Sequence, residues 1–433
     1  MKKIIIWTLV SIIIAGIAVD AFLWLRKPQI ITLNDGTKLT LLGVTYGKHH
    51  VSPKIKAANG RARSIAGARI DSTNNTVVVW IEAQTKPNQY PNYQLLVYDK
   101  ANTACVSAYA RSQSQNVNGS MIQGFLLDAY PRWDSKMILR VMSWGGDGQR
   151  AAKEHFVVSN PARDKSFAKW TPEPLPDTQS DGDLDVTLTR LNYGARGFNN
   201  AGGATKNDPM TKAVEVAFRA EQKGVTATNW QPIRVETSDA AGNHAPLNSW
   251  SNPRGDAESV MTYQWGLWPD ETPWKLSVEF SKQSGFSDDE AWTVQNVPVN
   301  PGSQQDMWNY NNGSTRRTPP AFAETTLNGI HLKIFPAVQF TNQFGGNGDK
   351  PGGFRVQADQ PLDGMQLKLV KATSDSGRDL QSYSGTSWGG SDRQFQLQNM
   401  RNTQTMNVTL ALVKSRFVEF TVKPSPQAAG NNN

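Results

Sequence analysis

Cysteine is almost missing from this chain: Cys105 is the only one among 433 residues. That excludes an internal disulfide framework in a monomer and any metal site that needs several thiolates. Cys105 itself, in Thr103-Ala104-Cys105-Val106, reads as a small buried apolar side chain and not as a nucleophile. An exported protein without disulfides fits a bacterial envelope better than an animal secretory route. Histidine is scarce too. His49, His50, His155, His244 and His331 form no His-Glu-x-x-His and no i, i+4 pair, so neither zinc nor any other cofactor is expected. Only His49 and His50 are close in sequence, and neighbours on a strand point to opposite faces.

A second long apolar run is also lacking. The single run extends from Ile4 to Leu25, broken by Thr8, Ser11 and Asp20, with Lys2 and Lys3 before it and Arg26, Lys27 and Pro28 after. As a helix it would reach about 33 Å, enough for a hydrocarbon core of about 30 Å. Residues 1–27 are therefore expected to be a transmembrane anchor or a signal peptide. Val19-Asp20-Ala21 or Gly16-Ile17-Ala18 would serve a signal peptidase. The apolar character that resumes at Ala21-Phe22-Leu23-Trp24-Leu25, with Trp24 beside Arg26 and Lys27, favours an uncleaved single-pass anchor, and Asp20 is expected at the interface. Positive charge on both flanks leaves the positive-inside count nearly tied. The expected extracytoplasmic placement of the bulk, or its export after cleavage as the alternative, rests on the β character described next.

Acidic residues are rare near the run. Residues 1–70 hold eleven Lys and Arg against Asp20 and Asp35, whereas the remaining 363 residues hold 34 basic and 35 acidic side chains. The basic excess is thus juxtamembrane, in segment 26–70. Lys48, His49, His50, Lys54, Lys56, Arg61, Arg63 and Arg69 would favour an anionic lipid or another envelope polyanion. Nucleic acid is not expected, because only Tyr46 offers an aromatic nearby and no known module surrounds it.

What is plentiful is turn residues and period-two patterning. Glycine (35) and proline (24) punctuate runs in which apolar and polar residues alternate. Ile30-Ile31-Thr32-Leu33 and Lys38–Val44 flank Asn34-Asp35-Gly36, which predicts a hairpin. Leu184/Val186/Leu188, Val214/Val216/Phe218 and Leu276/Val278/Phe280 alternate with polar neighbours, the signature of half-buried antiparallel strands, with Trp292–Val299 expected to close that module. Leu332/Ile334, Val408/Leu410/Leu412 and Val418/Phe420/Val422 mark inner faces further on. The expected fold class is mainly β: an N-terminal transmembrane helix, a juxtamembrane β domain and two β-sandwich, Ig-like modules. The boundaries are 28–169 for the juxtamembrane domain, 170–182 for a Pro-rich linker, 183–299 for the first sandwich, 300–320 for a second linker, 321–424 for the second sandwich and 425–433 for a disordered tail. Arg234–Gly242 and Lys371–Gly377 form an internal echo that two related sandwiches would explain.

Three segments carry a family resemblance. Leu33–His49 (LNDGTKLTLLGVTYGKH), Gly266–Leu276 (GLWPDETPWKL) and Lys414–Phe420 (KSRFVEF) resemble segments of membrane-anchored or exported β-domain proteins of planctomycete and verrucomicrobial type bacteria. The resemblance implies an envelope location and β domains, and it brings no catalytic residues with it.

Motifs for chemistry are weak. Gly385-Thr386-Ser387-Trp388-Gly389 has the spacing of a nucleophile elbow, but no histidine follows Ser387, and the surroundings read as a loop between strands. Trp144-Gly145-Gly146-Asp147-Gly148 lacks the helix and Lys-Ser/Thr of a phosphate cradle and reads as a turn. Asp181, Asp183 and Asp185 start like a calcium loop, yet Val186 and Asn192 stand where glycine and glutamate belong. Asp288, Asp289 and Glu290 are the carboxylates a hydrolase would draw on. The ligand-binding candidates are Trp265, Trp268 and Trp274, whose exposed faces would stack on sugar rings, with core packing as the competing reading. The reading preferred is a non-catalytic, membrane-tethered envelope protein acting in adhesion, scaffolding or interaction. A glycan-binding protein and a carboxylate-dependent hydrolase are the alternatives, with a glycan or a protein as partner.

Overall fold

The computed structural model describes residues 29–53, 55–56, 62–63, 69–85, 93–99, 105–108, 116–117, 120–145, 148–163, 168–195, 213–247, 258–263, 266–269, 273–303, 320–341, 350–388 and 390–426. Every assigned element among these residues is a β-strand, and the strands form several sheets. No helix among them is long and apolar enough to cross a membrane; the run Ile4–Leu25 lies outside the described residues.

The first unit pairs two sheets over one core. The five-stranded sheet contains Ile30–Thr32, Lys38–Val51, Arg69–Gln84, Ser120–Leu127 and Asn116–Val117; the four-stranded sheet contains Gly148–Ser159, Lys136–Gly145, Tyr93–Tyr98 and Cys105–Ala108. The hairpin expected at Asn34-Asp35-Gly36 is present, with the Leu33 amide donating to Thr37 O at 2.8 Å. Val77, Val79 and Ile81 from one sheet meet Leu95, Val97, Leu139 and Phe156 from the other, all fully buried. Gln29 staples the sheets: its side-chain amide donates to Val157 O and accepts from the Val157 amide, both at 2.8 Å.

The second unit sets a six-stranded sheet, built on Asp177–Asp181, Leu184–Ala195, Ala213–Gln222 and Val225–Thr226, against a four-stranded sheet ordered His244–Leu247, Trp230–Asp239, Trp274–Lys282, Arg416–Val422. The alternation read from sequence places its residues as expected: Leu184, Val186, Leu188, Val216, Phe218, Leu276, Val278 and Phe280 are all buried. Phe218 meets Phe280 edge-on at 5.5 Å and Phe420 at 6.2 Å.

The connectivity departs from the tandem order expected. Trp292–Val299 does not close the second unit. Its strand, Ala291–Gly302, pairs along its first half with Thr405–Lys414 and along its second with Ala337–Phe340, inside a nine-stranded sheet that forms the third unit. The edge beside Trp274–Lys282 is filled by Arg416–Val422, more than 130 positions later in the chain, in the register Leu276↔Phe420 and Val278↔Val418. The third unit is therefore inserted between two neighbouring strands of the second, Trp274–Lys282 and Arg416–Val422. Alternation identifies the wet and dry face of a strand but carries no information about its hydrogen-bonding neighbour, which is why the exchange escaped a sequence reading. Two expected boundaries shift for the same reason. Asp177–Asp181, placed in the linker 170–182, is an edge strand, and Ser425–Pro426, placed in the disordered tail, pairs in parallel with Asn192 and Tyr193.

The third unit has its own core, with Leu332, Ile334, Phe354, Val356, Val408, Leu410 and Leu412 at its centre and Phe354 stacked on Phe395 at 5.1 Å. The echo of the second unit in the third is a shared turn. The Gly242 amide donates to Asp239 O and the Asp239 amide to Asn243 O; the Gly377 amide donates to Ser374 O and the Ser374 amide to Arg378 O. In each, the side chain at the first position accepts from the backbone amide four residues on, and a glycine with positive φ lets the chain reverse.

Candidate functional site

The tryptophans expected to form a binding platform do not form one where they are described. Trp268 and Trp274 are 1% and 0% exposed, sealed within the core shared by the first two units, and Trp265 lies outside the described residues. Stacking on a sugar needs an open ring face, so neither Trp268 nor Trp274 can supply it without unfolding. Gly266 shows how tight this corner is: a Cβ there would meet Val214 Cγ2 at 2.5 Å and the Trp274 ring at 3.0 Å.

The carboxylate candidates are committed to structural bonds or lie on an open turn. Asp181 Oδ2 accepts from the Phe417 amide at 2.8 Å, Asp183 Oδ1 from Arg416 Nη2 at 3.0 Å, and Asp185 Oδ1 from Ser180 Oγ at 2.5 Å. The segment that begins like a calcium loop is thus a lock that seats the returning strand Arg416–Val422. The hydrogen bond from Gln222, helped by a backbone hydrogen bond and then by the Arg416 charge, keeps the Asp183 carboxyl below the usual range. Gly182 turns this corner at φ +64°, and a Cβ there would come within 3.0 Å of the Arg416 guanidinium. Asp288 and Asp289 are exposed on the turn after Trp274–Lys282; Glu290 beside them pairs with Lys282 at 2.8 Å and accepts from the Ser287 amide at 2.9 Å. Among the described residues no three His, Cys, Asp or Glu side chains are gathered as a metal would require.

Ser387 lies in the strand Ser382–Trp388 opposite Arg393, not on a strand-to-helix turn. Gly145 and Gly148 pair across the strands Lys136–Gly145 and Gly148–Ser159; Gly146 and Asp147, where the turn was expected, lie outside the described residues. Cys105 begins the strand Cys105–Ala108, opposite Tyr98.

Two polar clusters join the units, and sequence reading found neither as a cluster. At the first seam, Asn243 Oδ1 accepts from the Tyr130 amide at 3.1 Å and from Arg132 Nε at 3.2 Å, while its Nδ2 donates to Asp239 Oδ2 at 2.8 Å. Burial pushes the Asp239 carboxyl up, against the hydrogen bonds from Asn243. At the second seam, Glu279 Oε1 accepts from Ser415 Oγ at 2.6 Å and from Gln366 Nε2 at 2.8 Å, and Lys368 Nζ donates to Lys282 O at 2.8 Å and Gln283 Oε1 at 2.9 Å. Desolvation lowers Lys368 to about 8. Glu279 gave no signal in the sequence, since it occupies the polar position of the alternation Leu276/Val278/Phe280.

The remaining feature with a surface of its own is an arm. Lys38–Val51 and Arg69–Gln84 run together well past their neighbours: Ile30–Thr32 pairs only with Lys38–Thr40, and Ser120–Leu127 only with Val77–Gln84. Beyond them the two strands form a ribbon that continues as the short hairpin Ile55–Lys56 with Ala62–Arg63. At its root the partner strand bulges, so that Gly47 faces Thr76 and His49 faces Asp71. His50 pins the bulge. It is fully buried, its Nδ1 2.9 Å from Thr45 Oγ1 and its Nε2 3.1 Å from Thr76 Oγ1, and Trp80 Nε1 donates to the same Thr45 hydroxyl. Burial lowers the His50 pKa, an effect that outweighs the attraction of Asp71. His49, on the opposite face as strand geometry requires, is exposed and joins Arg69 on the Asp71 carboxylate. Lys48, Tyr46 and Val51 are exposed along the ribbon. Residues 43–76 carry six Lys and Arg against Asp71 alone.

No protein-family model matches the chain, and no curated protein matches it.

Proposed function

We propose that the protein is a non-catalytic, membrane-tethered envelope protein that works as an adhesion, scaffold or interaction module. Ile4–Leu25 is its single-pass anchor, and its β-sandwich, Ig-like units stand outside the cytoplasm. The observation that carries this reading is the arm: Lys48 and Arg69 of the basic segment 26–70 are exposed on a projecting ribbon whose first strand, Lys38–Val51, follows the apolar run in the chain. Support also comes from the seams, where Asn243, Glu279 and Lys368 key the three units together as a spacer would need. The resemblance of Leu33–His49, Gly266–Leu276 and Lys414–Phe420 to exported β-domain proteins points the same way.

The test is topological. Trypsin added to intact cells, to cells with a permeabilised outer envelope and to lysed inner-membrane vesicles should cut residues 30–433 without inner-membrane lysis. The cut fragments should leave the pellet while the apolar run remains with the membrane. Digestion only after inner-membrane lysis would refute the placement, and a body found free in the extracellular fraction would replace the anchor by a cleaved signal.

A further inference from the structure

The direction in which the chain leaves the first sheet bears on where the arm lies. Ile30–Thr32 is antiparallel to Lys38–Thr40, so stepping back from Thr32 to Ile30 moves along the partner strand from Lys38 to Thr40. The Leu41 amide donates to Gln29 O at 3.0 Å, and the Gln29 side chain is clamped twice to Val157. Gln29 is therefore a fixed exit point, and it faces the end of the sheet from which the arm projects. From Leu25 to Gln29 the chain spans at most about 14 Å. From Leu41, level with Gln29, the arm strand continues ten residues to Val51, a reach of about 30 Å in extended form. The arm is thus longer than the greatest reach of residues 25–29.

Resting on the reading of Ile4–Leu25 as an anchor, we infer that the arm lies against the bilayer that holds the anchor and binds the phosphate headgroups of its anionic lipids. Lys48 and Arg69 supply charge, and Tyr46 and Val51 supply an exposed aromatic and an exposed apolar side chain of the kind that settle at the headgroup boundary. The bulge at Gly47 and Asp71–Thr76, pinned by His50, lets the ribbon bend along a surface instead of running into it. Held this way at two points, the anchor and the arm, the body would have a set orientation on the membrane.

The experiment uses the full chain in liposomes of neutral phosphatidylcholine, or of phosphatidylcholine with about one third phosphatidylglycerol. An environment-sensitive dye is placed at Val51→Cys in a Cys105→Ser background, with trypsin cleavage after Lys48 and Arg69 of the unlabelled natural chain as a label-free readout. In the anionic liposomes the dye should shift to the blue and lose access to iodide, cleavage at both sites should slow, and 0.5 M salt should reverse both effects. Each basic residue contributes about fivefold to residence at an anionic surface, so the double variant Lys48→Glu/Arg69→Glu, which lacks both tryptic sites and is read through the dye alone, should lose the dye's protection from iodide by well over tenfold while still floating with the liposomes. Equal exposure of the arm in both lipids, in a chain that floats with them, would overturn the inference and leave the anchor standing. A chain that fails to float would overturn the anchor and the inference with it. Protection of the arm by soluble heparin in neutral liposomes, with none from the anionic lipid, would assign the arm to a different polyanion and overturn the lipid.

Discussion

Phe420→Ala should destabilise a unit most of whose strands lie, in sequence, long before it. Phe420 is fully buried, pairs in register with Leu276 and packs 6.2 Å from the Phe218 ring, so it belongs to the second unit although the whole third unit precedes it. Removing a buried phenylalanine costs about 3–5 kcal/mol, which is about two to three and a half decades in the opening equilibrium of the unit that contains it. Hydrogen exchange read by mass spectrometry on the full chain locates that loss. Protection should collapse in Leu184–Ala195, Ala213–Gln222 and Trp274–Lys282, and hold in Met365–Ser374 and Thr405–Lys414. Leu410→Ala, buried in the core of the inserted unit, should give the reverse pattern at about 2–5 kcal/mol. If Phe420→Ala instead loosened Met365–Ser374 and Thr405–Lys414 and spared Trp274–Lys282, the insertion topology would be wrong.

Two further outcomes follow from the seams. Asn243→Ala removes the side-chain acceptor of the Tyr130 amide and of Arg132 Nε and the side-chain donor to Asp239 Oδ2, and should cost about 1–3 kcal/mol in urea unfolding, with exchange rising first at Tyr130; an unchanged midpoint would show that the contact does not hold the units. Lys368 is held at about 8 in the folded chain against 10.5 when exposed, so between those values the unfolded chain binds more protons and stability should rise with pH. Lys368→Met should abolish that rise in melting curves taken from pH 7.5 to 10, and a variant that kept it in full would place the titration elsewhere.

Much of the β character was legible because alternation is a local property. Leu184, Val186 and Leu188, or Val408, Leu410 and Leu412, declare their inner face in five residues, and all six are buried. The partner of a strand is not local. Val418, Phe420 and Val422 alternate as clearly as any run in the chain, yet nothing in them indicates that their neighbour is Trp274–Lys282 and not Thr405–Lys414 just before them. The site was less legible. Tryptophan composition cannot separate a stacking platform from a corner of the core, and Trp268 and Trp274 belong to the core. The uneven charge did carry a signal, since the basic segment includes the ribbon, but its projection depends on how short the neighbouring strands are.

The insertion also sets an order of birth. While the chain is being made, Trp274–Lys282 waits with one edge unfilled until residues 416–422 emerge, by which time the inserted unit has every strand it needs. A nascent chain halted anywhere in between presents an open, apolar sheet edge, a template for pairing with a second nascent copy. The Asp181–Asp183 corner that captures Arg416 and Phe417 is then the latch that ends this exposure, and it closes only once that strand has emerged.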